Sequence, residues 1–150
     1  MIFDELATIY FEIDNNYSVN EAAARARRHN RVEANYRRKR ELNDQAYFLF
    51  MFTRLEYRIR ELSIELIDDK YDNLTNWNYR RTWEILHKRK KDIPLLDRVA
   101  LLTMIGQGDY NLIKRYYDQR NNIGHGGAFT ITIDIRTVVT DMQRLYYALE

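Results

Sequence analysis

Cysteine is missing from this 150-residue chain, and with it go disulfides, thiolate nucleophiles and cysteine-ligated metal sites. Proline occurs once, at Pro94, and all five glycines fall between Gly106 and Gly127, so the strongest helix breakers are nearly absent elsewhere. The three histidines, His29, His87 and His125, stand too far apart in sequence for a local metal-ligand pattern. The expectation is chemistry without a metal or cofactor. No apolar run approaches the ~20 residues needed to span a bilayer, so no membrane partner is expected. The opening MIFDELATIYFEIDNN carries acids where a signal peptide carries basic residues, which points to a cytoplasmic protein.

What the chain does have is charge and apolar surface together. It is 45% hydrophobic and 31% charged, a balance that excludes wholesale disorder, and its length suits one domain over residues 1–150. The formal net charge of +2 is unevenly spread. Residues 25–40, RARRHNRVEANYRRKR, hold eight Arg/Lys against one Glu, so this segment is +7 and the remainder −5. Arg25, Arg27, Arg28, Arg31, Arg37, Arg38, Lys39 and Arg40 are therefore candidates to contact a polyanion such as RNA, a second cluster at His87–Lys91 extending the track. The alternative is a solvated helix face.

Periodicity predicts helix almost throughout. Phe3, Leu6, Tyr10 and Ile13 mark a short amphipathic helix over residues 2–14. A turn at 15–22 follows, with Ser18 and Glu21 spaced as a capping box for the next helix. From there to Asp68 nothing strong interrupts, and fifty residues of straight helix would reach ~75 Å. A break near Asn30 or Asn43–Asp44, or a projecting arm near residues 19–43, is expected. Phe48, Phe52, Leu55, Ile59, Leu62 and Leu66 recur at 4-3-4-3-4, the stripe of a helix packed along another. Further helices are predicted over 74–91, with Trp77, Trp83 or Leu86 facing the core, over 95–105, from an Asp109 cap to about 122, and from Ile135 to Leu149. AFTITID alternates like a strand, but without a partner strand it reads as an extended connection. Asp68, Asp69 and Asp72 read as a helix end. Most of the twelve tyrosines sit at helical spacing, which suits packing better than base stacking.

Near the end stands RNNIGHGG, Arg120 to Gly127. Arg120 follows Ile113, Tyr116 and Tyr117 on the apolar stripe of its helix, where a charge is costly unless paired or kept for a partner or an anion. Five residues apart on a continuous helix, Arg120 and His125 point about 140° away from each other. Gly124 offers a left-handed helix stop that would let His125 swing back, and Gly126 and Gly127 permit a tight turn.

Arg120-Asn121, three residues, then His125 resembles the R-x4-6-H motif of the HEPN superfamily, small helical bundles that include many prokaryotic toxin ribonucleases. The resemblance is specific over about eight residues and architectural elsewhere. It implies an up-and-down bundle of about four or five core helices and a homodimer whose paired Arg and His residues line one cleft. It further implies a metal-independent endoribonuclease of a toxin–antitoxin or antiviral defence system, with an antitoxin or other inhibitor protein as partner. HEPN toxins modified by a nucleotidyltransferase antitoxin often carry a tyrosine two residues after the histidine. Here that position is Gly127, which puts such an antitoxin in doubt.

The residue types suit the chemistry. A histidine, with an ordinary pKa near about 6.5, takes and gives protons at neutral pH, so His125 fits the base that deprotonates a ribose 2′-OH. Arg120 offers a permanent planar cation for the phosphorane. Asn121 would position the phosphate or His125. Two other readings stand beside this one: Arg120 pairing with an acid while His125 caps its own helix, in a non-catalytic module that binds nucleic acid or protein, and a purely structural dimerisation bundle built on the 48–66 stripe.

Overall fold

The computed structural model describes residues 2–149. The chain is all-α, with six helices and no strand among the described residues: α1 (Ile2–Ala26), α2 (Asn30–Asn73), α3 (Trp77–Arg89), α4 (Leu95–Leu102), α5 (Gly108–Gly124) and α6 (Ile135–Ala148). None is long and apolar enough to cross a membrane. Two compact units emerge, one from the residues through Thr53 with Asp118–Gln143, the other from Arg54–Tyr117 with the residues from Arg144 onward. Helices α2, α5 and α6 contribute to both.

In the first unit, α1 and the first half of α2 form an antiparallel hairpin, visible in the pairing of Arg25 with Glu33, Arg37 with Glu21, Arg40 with Asp14, and Tyr10 with Asp44. The turn expected at 15–22 is absent: α1 runs unbroken to Ala26. Its interruption is overridden by tertiary pairing, because Glu21 is buried and spends its carboxylate on Arg25, Arg37 and Arg40 rather than on a cap. Of the two expected breaks only the one before Asn30 occurs, where Arg28 turns the chain with φ +57. Asn43 and Asp44 lie inside α2, since Asn43 is buried and Asp44 accepts a 2.6 Å hydrogen bond from the Tyr10 hydroxyl. Burial, reinforced by Asp44, pushes the Tyr10 hydroxyl far above its usual value.

The α2 stripe begins as the sequence suggests. Phe48, Phe52, Leu55 and Ile59 are fully buried, but Ser63 and Ile67 then take the places predicted for Leu62 and Leu66. The drift of a straight 3.6-residue helix against a 3.5-residue repeat, about 20° per heptad, amounts to only about half of one position over this length; Ser63 is buried where it meets Arg98.

In the second unit, Ser63 meets Arg98 of α4. Arg98 is almost fully buried and donates to the Ser63 hydroxyl at 2.9 Å, the Ile93 carbonyl at 2.9 Å and the Lys90 carbonyl at 2.6 Å, which fastens the 90–93 connection. Burial lowers its pKa. No residue of α3 is buried, and Trp77, a predicted core residue, is 63% exposed. Helix α4 stops at Leu102, short of the predicted Ile105, leaving Met104 and Ile105 exposed. Asp109 sits inside the first turn of α5 and pairs with Arg144 at 2.8 Å.

Candidate functional site

The Arg120–His125 segment closes α5 within the first unit. The ladder continues through His125, whose backbone nitrogen donates to the Asn121 carbonyl at 3.0 Å. Gly126 then donates to the Ile123 carbonyl and Gly127 to the Asn122 carbonyl, each at 2.9 Å. This is a Schellman closure, with His125 as the last near-helical residue. The left-handed residue is Gly126, at φ +82, and not Gly124 as expected. At Gly127 a β-carbon would meet the Asn122 carbonyl oxygen at 2.8 Å, so a side chain there requires the turn to shift.

The turn therefore follows His125 instead of falling between the two residues. Arg120 and His125 are thus five positions apart on one helix, about 140° around its axis. Arg120 is half-buried and its Nη1 donates to Asn121 Oδ1 at 3.2 Å, while His125 is exposed.

What holds this end in place was not visible in the motif. Gln119, immediately before Arg120, is buried and accepts from the Thr130 backbone nitrogen at 2.8 Å while donating to the Thr130 hydroxyl at 2.9 Å. Phe129 packs edge-on against Phe48, ring centroids 5.3 Å apart. The 128–134 stretch is thus an extended connection pinned to α5 and α2, as its sequence suggests, and Asp134 caps α6 through the Arg136 and Thr137 backbone nitrogens. The Thr137 hydroxyl, with those two nitrogens, holds the Asp134 carboxyl below its ordinary range.

The basic segment splits in two. Arg25 bonds Glu33 at 2.9 Å and Glu21 at 3.2 Å; Arg37 bonds Glu33 at 3.0 Å and Glu21 at 3.5 Å. Arg40 bonds Asp14 at 2.9 Å and Glu21 at 3.2 Å, and Arg38 bonds Glu41 at 3.0 Å. Lys39 lies over the Tyr36 and Tyr17 rings at 4.8 and 5.7 Å. Arg25, Arg37 and Arg40 thus tie α1 to α2, Lys39 lies over one ring from each helix, and Arg38 pairs within α2. Arg27, Arg28 and Arg31 are exposed, with no side-chain hydrogen bond or ion pair among the described residues.

A cluster that sequence reasoning passed over lies in the second unit. Asp68 Oδ1 receives Lys90 Nζ at 2.6 Å and faces His87 Nε2 at 3.4 Å, and the Tyr71 ring stacks on His87 at 4.2 Å. The second basic cluster is thereby partly neutralised, Lys88 pairing also with Glu84 at 3.2 Å. The signal was the i, i+3 pair His87 and Lys90, but the 22-residue separation from Asp68 hid their partner. Among the described residues, no group of three or more histidines and acids stands close enough to hold a metal ion.

No protein-family model matches the chain, and no significant match to it was found among the curated proteins or the solved structures. The likeness to HEPN domains rests on residues 120–127 and on the all-α architecture.

Proposed function

We propose that the protein is a metal-independent endoribonuclease of the HEPN type, acting as a homodimer in which Arg120, Asn121 and His125 of two copies share one cleft. The observation that carries this reading is the closure of α5: a half-buried arginine bonded to its neighbouring asparagine, and an exposed histidine displayed at the helix cap just before a glycine turn. Because one helix splays Arg120 and His125 apart, a site that uses both is completed by a second chain.

In this mechanism His125 takes the proton of a ribose 2′-OH, the 2′ oxygen forms a bond to the adjacent phosphorus, and the P–O5′ bond breaks. Arg120, held by Asn121, neutralises the charge gathering on the phosphorane oxygens. The His125 of the second copy returns a proton to the departing 5′ oxygen. A prokaryotic toxin–antitoxin or antiviral defence setting, with an antitoxin or other inhibitor protein as partner, accompanies the family resemblance. Incubation of RNA with the protein in EDTA is expected to leave 2′,3′-cyclic phosphate and 5′-hydroxyl ends, with the all-deoxy counterpart intact. Ends bearing a 5′-phosphate would rule this mechanism out.

The second reading is a non-catalytic module that binds nucleic acid or a partner protein through the basic segment. It is favoured by the separation of Arg120 from His125 within one chain and by the exposure of Arg27, Arg28 and Arg31. Binding without cleavage would select it.

A further inference from the structure

The hairpin that uses up most of the basic segment leaves one part of it over. Arg25, Arg37, Arg38 and Arg40 have carboxylate partners, and Lys39 has two tyrosine faces. Arg27, Arg28 and Arg31 cluster where α1 ends at Ala26 and α2 begins at Asn30, every one exposed. Three permanent cations without a counter-charge, inside five consecutive positions, repel one another and give nothing back to the fold.

Arg28 sharpens the point. It adopts φ +57, a left-handed conformation that glycine takes without penalty and that an arginine side chain makes costly. Folding alone would favour glycine at this corner. An arginine there is explained by what its side chain reaches outside the chain.

We propose that the α1–α2 tip, Arg27, Arg28 and Arg31, is the contact for the RNA sugar–phosphate backbone, while the remaining cations of the segment are scaffold. The inference rests on the ribonuclease reading only in taking RNA as the ligand. The neighbours of the three arginines decide for a nucleic acid over a protein. His29 and Asn30 are polar and exposed, and only Val32, 44% exposed, offers apolar surface. Protein interfaces draw their energy from buried aromatic and aliphatic anchors, which the tip lacks. Phosphate needs guanidinium groups at the surface and little else.

The test is binding of a labelled single-stranded RNA oligonucleotide in EDTA across a salt series, with His125→Ala in every protein so that the RNA survives. Arg27→Gln/Arg28→Gly/Arg31→Gln is expected to weaken binding at least tenfold at low salt, and to flatten the plot of log K against log salt by about two, since each single-strand phosphate contact adds roughly 0.7. Arg28→Gly alone is expected to raise the melting temperature while weakening binding, opposite signs that a merely structural residue would not give. Arg37→Gln/Arg40→Gln is expected to lower the melting temperature and, where still folded, to keep the parental salt slope. Parental affinity and slope in the triple tip variant, or an equal loss of slope from Arg37→Gln/Arg40→Gln, would overturn the proposal. Cleavage by proteins that retain His125 separates the two claims. Tip-dependent binding without any cleavage leaves the tip standing and removes the nuclease; cleavage with tip-independent binding does the reverse.

Discussion

The backbone nitrogen of Gly127 donates to the Asn122 carbonyl oxygen at 2.9 Å, and a β-carbon on Gly127 would approach that oxygen to 2.8 Å. The helix end that displays His125 therefore has to shift to take a side chain at 127. Gly127→Ala is expected to cost about 1–3 kcal/mol in urea unfolding and to reduce RNA cleavage. Gly126 is different, because it has open space around it and only its φ of +82 opposes substitution. Gly126→Asn should cost well under ~1 kcal/mol, since asparagine tolerates the left-handed region. Equal stability of the Gly127→Ala and parent proteins would show that the turn is not the constraint described here.

Gln119 links the end of α5 to the connection beyond it through Thr130. Gln119→Ala is expected to remove about 1 kcal/mol, because a part-buried hydrogen bond to the Thr130 backbone nitrogen is lost. Hydrogen exchange at the Thr130 amide is the direct readout, and it should accelerate in the variant. Unchanged protection there would mean that another group holds the connection.

Arg98 serves three neutral oxygens from one buried guanidinium. Arg98→Lys cannot reproduce that fork and should destabilise by about 2–4 kcal/mol, nearly as much as Arg98→Ala. Chemical denaturation of both variants distinguishes this from a simple requirement for positive charge, under which lysine would restore stability.

Acid unfolding should reveal the hairpin network. Burial raises the Glu21 pKa, but hydrogen bonds and attraction from Arg40 and Arg37 outweigh it and leave the carboxyl below its usual 4.5. The stability Glu21 contributes is therefore present above pH 4.5 and lost as the pH falls through the lower folded value. Asp44 runs the other way: burial, only partly offset by the Tyr10 hydrogen bond, raises it above 3.8, so its contribution is present below that pH and lost as the pH rises through the folded value. Melts from about pH 7 to about pH 3 should show a smaller acid loss for Glu21→Gln than for the parent and a larger one for Asp44→Asn. The same slope in Glu21→Gln and parent would remove Glu21 from the account.

The sequence made the helices legible where apolar spacing was strong, as for Phe48 to Ile59 and for α6. It misled where charge decided the outcome. Ser18 and Glu21 carry the spacing of a cap, yet Glu21 answers to arginines on the facing helix that no local pattern announces. The partners of Arg25 and Arg40 on the facing helix were hidden in the same way, because ion pairs between residues 8 to 26 positions apart leave no periodic signal. At the site, the glycines announced a helix end correctly but not which one turns. That choice depends on where the last backbone hydrogen bond forms, at Gly127, not on composition.

The central claim is tested most directly by cleavage of a mixed RNA in EDTA by the parent protein, Arg120→Ala and His125→Ala, each checked to be folded and of the parental oligomeric state. The account predicts cutting by the parent and a loss of at least about a hundredfold in each variant, as expected when a general base or a transition-state cation is removed. Equal cutting by all three proteins would contradict it.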